Sequence, residues 1–328
     1  MGIPSVTTFN RMTNPLWCVS ANPAIDKRMR VSTLIPDRVN RAREVNAAPG
    51  GKAAHVAMVL RTLGADPLWI GFAGGPTGTQ LLDGLLALGI RVHPVTSNVD
   101  TRTNLEIIND DGGVTELLEP GLPIREKEWK SFFDTCNKLF SEQQSPGIVI
   151  ASGSLPGDAD PDFYARLTAL VHQHGHKIIL DTSGEPLRLA LAAAPDFIKP
   201  NREEAEWLIA DTIGGPQSWK NAANRLVQLG ARSAIVSLGE DGFVWQAGPG
   251  QDAYHAKSSG VEVTSTVGCG DATAAAFAYA MSAGLSAERT LRLAAACGAA
   301  NCMADSPGRL READVKALEP LVRIEKLA

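Results

Sequence analysis

Short apolar runs alternate along this chain with longer segments whose apolar residues recur at helical spacing. The runs at residues 16–20, 68–72, 147–151, 177–180, 197–199 and 233–237 read as strands, most of them apolar enough to be buried on both faces. Between them, the spacing predicts helices over 53–63, 78–88, 161–174, 185–193, 202–209 and 219–229, with Gly64 and Gly89 placed to stop the first two. The last third is helical, over 271–283, 287–303 and 312–318. This alternation builds a mostly parallel sheet with helices on both faces, a three-layer α/β/α fold. Two regions break the rhythm. Residues 27–45 and 102–118 show strand-like alternation with no helix between. The tract from Asn104 to Glu116 reads as a hairpin turning at Asp110–Gly113. These segments are expected to pair into a small antiparallel sheet beside the main domain, as a lid or a subunit contact.

Composition narrows the class. The chain has 328 residues, 44% apolar and 20% charged, enough for a large core and unlike a disordered or collagen-like chain. A net charge of -5 leaves no basic excess for nucleic acid. The five cysteines are scattered without a Cys-x-x-Cys pair, which favours neither zinc nor a disulfide framework and fits a reducing, cytoplasmic compartment. The apolar stretches 272–283 and 293–304 are shorter than the about 20 residues that span a bilayer. Residues 1–15 lack the apolar run of a signal peptide and read as a loose extension.

Four glycine-containing turns carry candidate chemistry. Thr266-Val-Gly-Cys-Gly-Asp271 runs straight into an Ala-rich helix, where free backbone N–H groups and the helix dipole favour an anion. Asp271 is either an N-cap or a base beside a transferring phosphoryl group. Pro49-Gly-Gly-Lys52 also precedes a helix and sets Lys52 and His55 on its first turns, without the Walker pattern. Lys199-Pro-Asn201 ends a strand, and Asn201 with Glu204 three residues on is either a capping box or a site at the strand's carboxyl edge. Ser237-Leu-Gly239-Glu-Asp-Gly242 is a nucleotide-sized turn or an ordinary one. His172-Gln-His-Gly-His176 has no accompanying carboxylate or cysteine and reads as a helix end rather than a metal site.

Taken in order, these turns resemble the ribokinase-like, phosphofructokinase-B family of carbohydrate kinases, over nearly the whole chain from Trp17 onward. Gly50-Gly51-Lys52 and Gly71-Phe-Ala-Gly-Gly-x-x-Gly78 are similar to the family's first signature, and Val267-Gly-Cys-Gly-Asp271 to its second. Asn22-Pro-Ala-Ile-Asp26, Val39-Asn-Arg41, Thr101-Arg-Thr-Asn104, Thr115-Glu116, Ser152-Gly-Ser-Leu-Pro156, Asp181-Thr-Ser-Gly184 and Lys199-Pro-Asn201 resemble its sugar-phosphate kinases, the 1-phosphofructokinases and tagatose-6-phosphate kinases among them.

The resemblance implies a ribokinase-like domain over 16–328, carrying the 27–45 and 102–118 segments as a lid. It implies ATP-dependent transfer to a hydroxyl of a phosphorylated ketohexose: fructose 1-phosphate, fructose 6-phosphate or tagatose 6-phosphate. Asp271 would be the general base, and the N–H groups of Gly268, Cys269 and Gly270 an anion hole. Gly50 and Gly51 would border a sugar whose hydroxyls are held by Asp26 and Asn104, with Ser154 beside them. A phosphate dianion wants a fixed cation and a bidentate partner, roles for Lys52 and Arg102, with Arg41 reaching in from a partner subunit's lid. ATP would lie along Lys199, Asn201, Ser237, Gly239, Gly242 and Asn301, with Mg2+ near Asn201 and Glu204 through water. The need for a monovalent cation is left open. A homodimer through the lid is expected, with neither nucleic acid nor membrane as partner.

Two departures from the family pattern stand out. His55 and Ala53 stand where relatives carry Asn and Gly, and His55 is expected to donate to a sugar hydroxyl and shift sugar choice. Cys269 replaces the usual Ala. A thiol at a helix N-terminus tends towards a lower pKa, so its oxidation would block phosphate access; the alternative is a small buried residue with no such role. Competing readings are a kinase of a free sugar or nucleoside, which would not need Lys52 and Arg102, and a non-catalytic sugar-binding regulator, which would not need Asp271. An NAD-linked oxidoreductase is disfavoured by the missing third glycine after Gly268-Cys-Gly270.

Overall fold

The computed structural model describes residues 14–327 apart from Asp158 and Glu262, so most of the expected N-terminal extension lies outside the described residues. In chain order the first elements are β1 (Leu16–Ser20), β2 (Ala24–Val31), β3 (Glu44–Gly50), α1 (Lys52–Thr62), β4 (Leu68–Ala73), α2 (Gly75–Ala87), β5 (Arg91–Thr96), β6 (Arg102–Asn109) and β7 (Val114–Leu118). There follow α3 (Glu126–Ser141), β8 (Ile148–Ser152), α4 (Phe163–Gln173), β9 (Lys177–Asp181), α5 (Gly184–Ala190), β10 (Phe197–Ile198), α6 (Arg202–Ile209), α7 (Pro216–Gln228) and β11 (Ala234–Ser237). The chain closes with β12 (Phe243–Gln246), β13 (Ala253–Lys257), α8 (Cys269–Ala283), α9 (Ala287–Cys302), α10 (Glu312–Leu318) and β14 (Arg323–Leu327).

The main sheet runs β14-β13-β12-β11-β10-β9-β8-β1-β4-β5. From β11 to β5 every neighbouring pair is parallel, with Cys18 of β1 opposite Ile150 on one side and Trp69 on the other. The last three strands extend it antiparallel. Alternation sorts the strand side chains into two apolar layers. Leu16, Cys18, Ile148, Ile150 and Ile179 pack with Val56, Leu60, Leu85 and Phe277. Trp17, Val19, Val149, Ala151, Ile178 and Leu180 pack with Phe132, Phe140, Leu167 and Leu226. The alanines of α8 are buried almost without exception, and these small side chains let the helix lie close between α1 and α9.

The three-layer α/β/α expectation is borne out, with corrections. The small sheet, order β3-β2-β6-β7, is not purely antiparallel: β2 pairs parallel with β6 over eight residues. A parallel pair needs a long crossover, and the α1–β5 stretch of the main domain supplies it. The sheet also begins earlier and ends later than 27–45, at Ala24 and Gly50. Helix α2 starts at Gly75, because Pro76 suits a first turn. Helix α3 was not expected at all; its apolar face of Phe132, Cys136 and Phe140 lies among charged neighbours. Strands β5 and β14 escaped notice because both are largely exposed edge strands without an apolar run.

Candidate active site

The small sheet presents one face to the carboxyl ends of the main sheet. Period-two alternation puts Asp26 and Arg28 of β2, Arg102, Asn104 and Glu106 of β6, and Glu116 and Leu118 of β7 on that face, and the register sets Asp26 beside Asn104 and Arg28 beside Glu106. Between the two sheets lies a cleft of about 500 Å³. Its walls include Asp26, Gly51, Lys52, His55, Arg102, Asn104, Ser154, Lys199, Asn201, Glu204, Ser237, Gly268, Gly270 and Asp271. The structure thus gathers most of the expected site residues around one space.

The first glycine turn shapes the wall of the cleft next to the small sheet. Gly51 caps α1 with φ 82°, a left-handed value that favours glycine. A Cβ on Gly50 would stand 2.2 Å from the Asp26 carboxylate, so only glycine leaves that side chain in place. Asn104 Nδ2 donates to Asp26 Oδ1 at 2.9 Å, while its own Oδ1 is buried without a partner. Arg102 donates to the Glu119 carbonyl and keeps a buried, unpartnered Nε. Ser154 is exposed and accepts from Asn22 Nδ2 at 3.3 Å. Arg41 sits exposed in the loop between β2 and β3, outside the lining of this chain's own cleft.

His55 does not offer the sugar-hydroxyl donor that the sequence predicts, and this expectation is corrected. Its Nε2 meets Asp26 Oδ2 and its Nδ1 meets Asp271 Oδ2, both at 2.7 Å, so both nitrogens are taken. Burial works against a charged ring here, but the two carboxylate bonds outweigh it and push His55 up to about 10. Burial likewise tends to raise Asp26, and the bonds from His55 and Asn104 overcome it, holding the carboxyl below its ordinary range.

The turn before α8 forms the opposite wall of the cleft. Gly268 is the N-cap with φ 80°, and a Cβ there would stand 2.8 Å from Pro307. Asp271 is therefore not the N-cap; it lies inside the first turn, 5% exposed, with Oδ2 on His55. A Cβ on Gly270 would come within 2.8 Å of Lys199 Nζ, so glycine brings that ammonium against the first turn of α8. The Cys269 expectations need correction. Its N–H donates to the Thr266 carbonyl at 3.3 Å, and its Sγ turns to Cys302 Sγ at 2.8 Å instead of into the cleft. The bond to Cys302, together with burial, raises the Cys269 thiol above its usual range, opposite to the helix-terminus expectation.

Lys199, 4% exposed, and Lys52 share one carboxylate, Asp181, which the sequence marks as a motif residue without a role. Asp181, wholly buried at the end of β9, lies 3.0 Å from Lys52 Nζ and 3.3 Å from Lys199 Nζ. Burial tends to raise the Asp181 pKa, and the two ammonium charges outweigh it and hold the carboxyl low; Lys52 is raised in turn. Its signal in the sequence is a lone Asp closing the run Ile178-Ile179-Leu180. A second unforeseen group is Arg28 with Glu106 at 2.7 Å, beside Glu116. Burial, then the charges of Glu106 and Asp26, raise the Glu116 carboxyl.

At the start of α6, Asn201 and Glu204 form the capping box, each accepting the other's backbone N–H at 2.8 Å. Glu204 also lines the cleft. Ser237 lines the cleft; Gly239 and Gly242 do not. Gly242 is glycine for packing, since a Cβ would stand 2.2 Å from the Ala256 carbonyl oxygen. Asn301 also falls away from the expected set. It is buried, donating to the Val267 carbonyl at 2.8 Å and accepting from Gly308 N at 2.8 Å, and so ties the α8 turn to the following loop. His172, His174 and His176 face separate partners: Asp196, Asn137, and the Phe140 carbonyl. Among the described residues, no group of three or more His, Cys, Asp or Glu side chains is placed to hold a metal, and no helix is long and apolar enough to cross a membrane.

Comparison with known proteins places the chain in a family. The model of the pfkB family of carbohydrate kinases matches residues 19–311. The 1-phosphofructokinase of Borreliella burgdorferi is 29% identical over 313 residues, 95% of this chain and 99% of that protein. That of Rhodobacter capsulatus is 33% identical over 286 residues, 87% of this chain and 89% of its own. The crystal structure of phosphofructokinase-2 from Escherichia coli, in complex with substrates and products, superposes with a TM-score of 0.87 at 26% identity, over 94% of this chain and 99% of that one. On the matched family model and these relatives, this chain belongs to the pfkB family of carbohydrate kinases.

Proposed function

We propose that this protein transfers the γ-phosphoryl group of ATP to a hydroxyl of a phosphorylated ketohexose, with fructose 1-phosphate as the first choice. One observation carries the reading. The buried carboxylate of Asp271 stands at the N-terminus of α8, in the same cleft as the cations Lys52, Arg102 and Lys199 and the hydroxyl-binding pair Asp26 and Asn104. The names of the matched relatives support the sugar.

The residues divide the work. His55 occupies Asp271 Oδ2, so Oδ1 is the oxygen left to take the proton of the attacking hydroxyl. The first turn of α8, open at Gly268 and Gly270 and backed by Lys199, stabilises the charge of the group in transit. Lys52 and Arg102 hold the phosphate the sugar already carries, and the free Oδ1 of Asn104 accepts a sugar hydroxyl. The nucleotide lies along Lys199, Asn201 and Ser237. Glu204 Oε1 suits Mg2+ held largely through water, which would neutralise the nucleotide's phosphates when bound. Asn201, its side-chain oxygen committed to the cap, contributes by holding Glu204.

The small sheet is the proposed lid. The sheet and its β2–β3 loop expose Ile35, Val39, Val45, Val114 and Leu117, apolar side chains that suit a second copy in a homodimer, and light scattering of the purified chain checks that state.

A coupled ADP-release assay with Mg·ATP tests the reading, using fructose 1-phosphate, fructose 6-phosphate, tagatose 6-phosphate, fructose and ribose. Strong turnover of one phosphorylated ketose is expected. Turnover of free sugars alone would overturn the roles of Lys52 and Arg102, and binding without turnover would point to a sugar-binding regulator.

A further inference from the structure

His55 stands between two carboxylates from opposite walls of the cleft: Asp26 from the small sheet and Asp271 from α8. Each of its ring nitrogens lies 2.7 Å from a carboxylate oxygen. The ring and Asp271 are each 5% exposed, so water does not substitute for either bond. An ionised carboxylate only accepts hydrogen bonds, and a neutral imidazole has one donor and one bare acceptor. A neutral ring would therefore turn a lone pair against a carboxylate oxygen 2.7 Å away. Two short bridges between three such groups need two protons.

We propose that His55 serves as a doubly protonated strap that fixes the carboxylate of Asp271 for reaction and couples its position to the sugar-binding Asp26; the catalytic part of this role rests on the phosphoryl-transfer reading above. His55 has no ring nitrogen left for a sugar or nucleotide in this arrangement, because both are spent on the carboxylates. It is a positioning residue. By occupying one oxygen of Asp271 it decides which oxygen meets the hydroxyl. By gripping Asp26 as well, it makes sugar binding and base alignment parts of one network.

The charges around the ring favour the charged strap. Asp26 and Asp271 bond to it directly. Glu116, Glu106, Arg28 and Arg102 stand on the cleft face of the small sheet, and Arg28 is paired with Glu106. Lys52, on His55's own helix, is paired with Asp181, which Lys199 also faces. The carboxylates in contact with the ring thus outweigh the cations nearby, and the ring is pushed up to about 10. The strap is intact at neutral pH and opens as the ring loses a proton in alkali.

Two measurements decide this. The first is nitrogen-15 NMR of the histidine rings in the full chain, with His55→Asn assigning the signal. At roughly pH 8, where an ordinary imidazole of pKa about 6.5 is neutral, His55 is expected to show two N–H groups. One bare nitrogen at that pH overturns the strap. This readout needs no turnover, so it stands apart from the kinase reading. The second is kinetic. His55→Ala is expected to lower kcat on the sugar phosphate about 100-fold, the scale of a misplaced catalytic group. His55→Asn, whose amide donates to one carboxylate at a time, is expected to recover part of that loss. The wild-type kcat is expected to fall with an alkaline midpoint near 10, and His55→Asn to lack that limb. Unchanged kcat in His55→Ala, or the same alkaline limb in both proteins, contradicts the positioning role. If no sugar is phosphorylated at all, the kinase reading fails, while the NMR result still decides the strap.

Discussion

Lys52 Nζ lies 3.0 Å from Oδ1 of Asp181, a carboxylate with no exposure to solvent. The lysine starts α1, the aspartate ends β9, and Lys199 at the end of β10 approaches the other carboxylate oxygen at 3.3 Å. One buried anion therefore holds two ammonium groups at the cleft. Asp181→Ala removes that anion and leaves two cations in mutual repulsion. It should destabilise the fold by about 3 kcal/mol, as the loss of one partner of a buried ion pair does. Urea unfolding measures this, and the refolded variant should show kcat/KM lowered at least about tenfold.

Gly50 owes its identity to Asp26. With a Cβ placed 2.2 Å from the carboxylate and 2.6 Å from the Asp26 backbone nitrogen, Gly50→Ala should displace the side chain from both His55 and Asn104. The expected outcome is a rise in sugar KM together with a fall in kcat, while KM for ATP stays near that of the parent. Steady-state kinetics in both substrates checks the split.

Arg102 and Lys52 should matter only when the sugar carries a phosphate. Each replaced by Ala should raise KM for the sugar phosphate about 10- to 100-fold, the worth of a hydrogen bond to a charged group. Any residual activity on the unphosphorylated ketose should change little. Equal losses on both sugars would assign these cations to the nucleotide's phosphates instead.

His55 and Asp181 set opposite limits on stability. The His55 pKa is raised by folding, to about 10, from an unfolded value near 6.5. Its contribution is complete below the unfolded value and is lost as pH rises through the folded one. Asp181 is held below its unfolded value, so its contribution is present above that value and is lost as pH falls through the folded one. Melting temperature should decline between about pH 7 and 10, and His55→Asn should flatten that decline.

Much of the architecture was legible in the chain. Buried strands such as β1 and β8 are continuous apolar runs, and α6 and α10 follow helical spacing closely. The hairpin at Asp110–Gly113 was legible from its turn residues. Edge strands β5 and β14 were not, because exposure on both faces removes the pattern. The parallel β2–β6 pairing was hidden for a different reason: strand direction within a sheet depends on the distant crossover, not on either strand's residues. At the site, the glycine turns told which loops would converge, but not which side chains would face inward. Asn301 in α9 and Cys269 at the start of α8 lie on the right elements and turn away from the cleft. His55 is in the cleft wall, yet its bond to Asp271 joins residues 216 apart, a pairing no local spacing encodes. Asp181 was visible as a motif residue, while its hold on two lysines is a property of the folded sheet edge.

The most direct test of the account is the rate of phosphoryl transfer from Mg·ATP to fructose 1-phosphate by the parent chain and by Asp271→Asn. The parent should turn the sugar over. The variant, which keeps the shape but loses the base, should be slower by about 10² to 10⁴, the range of general-base catalysis, with sugar KM little changed. Near-normal turnover by Asp271→Asn, or turnover by the parent on unphosphorylated sugars alone, would contradict it.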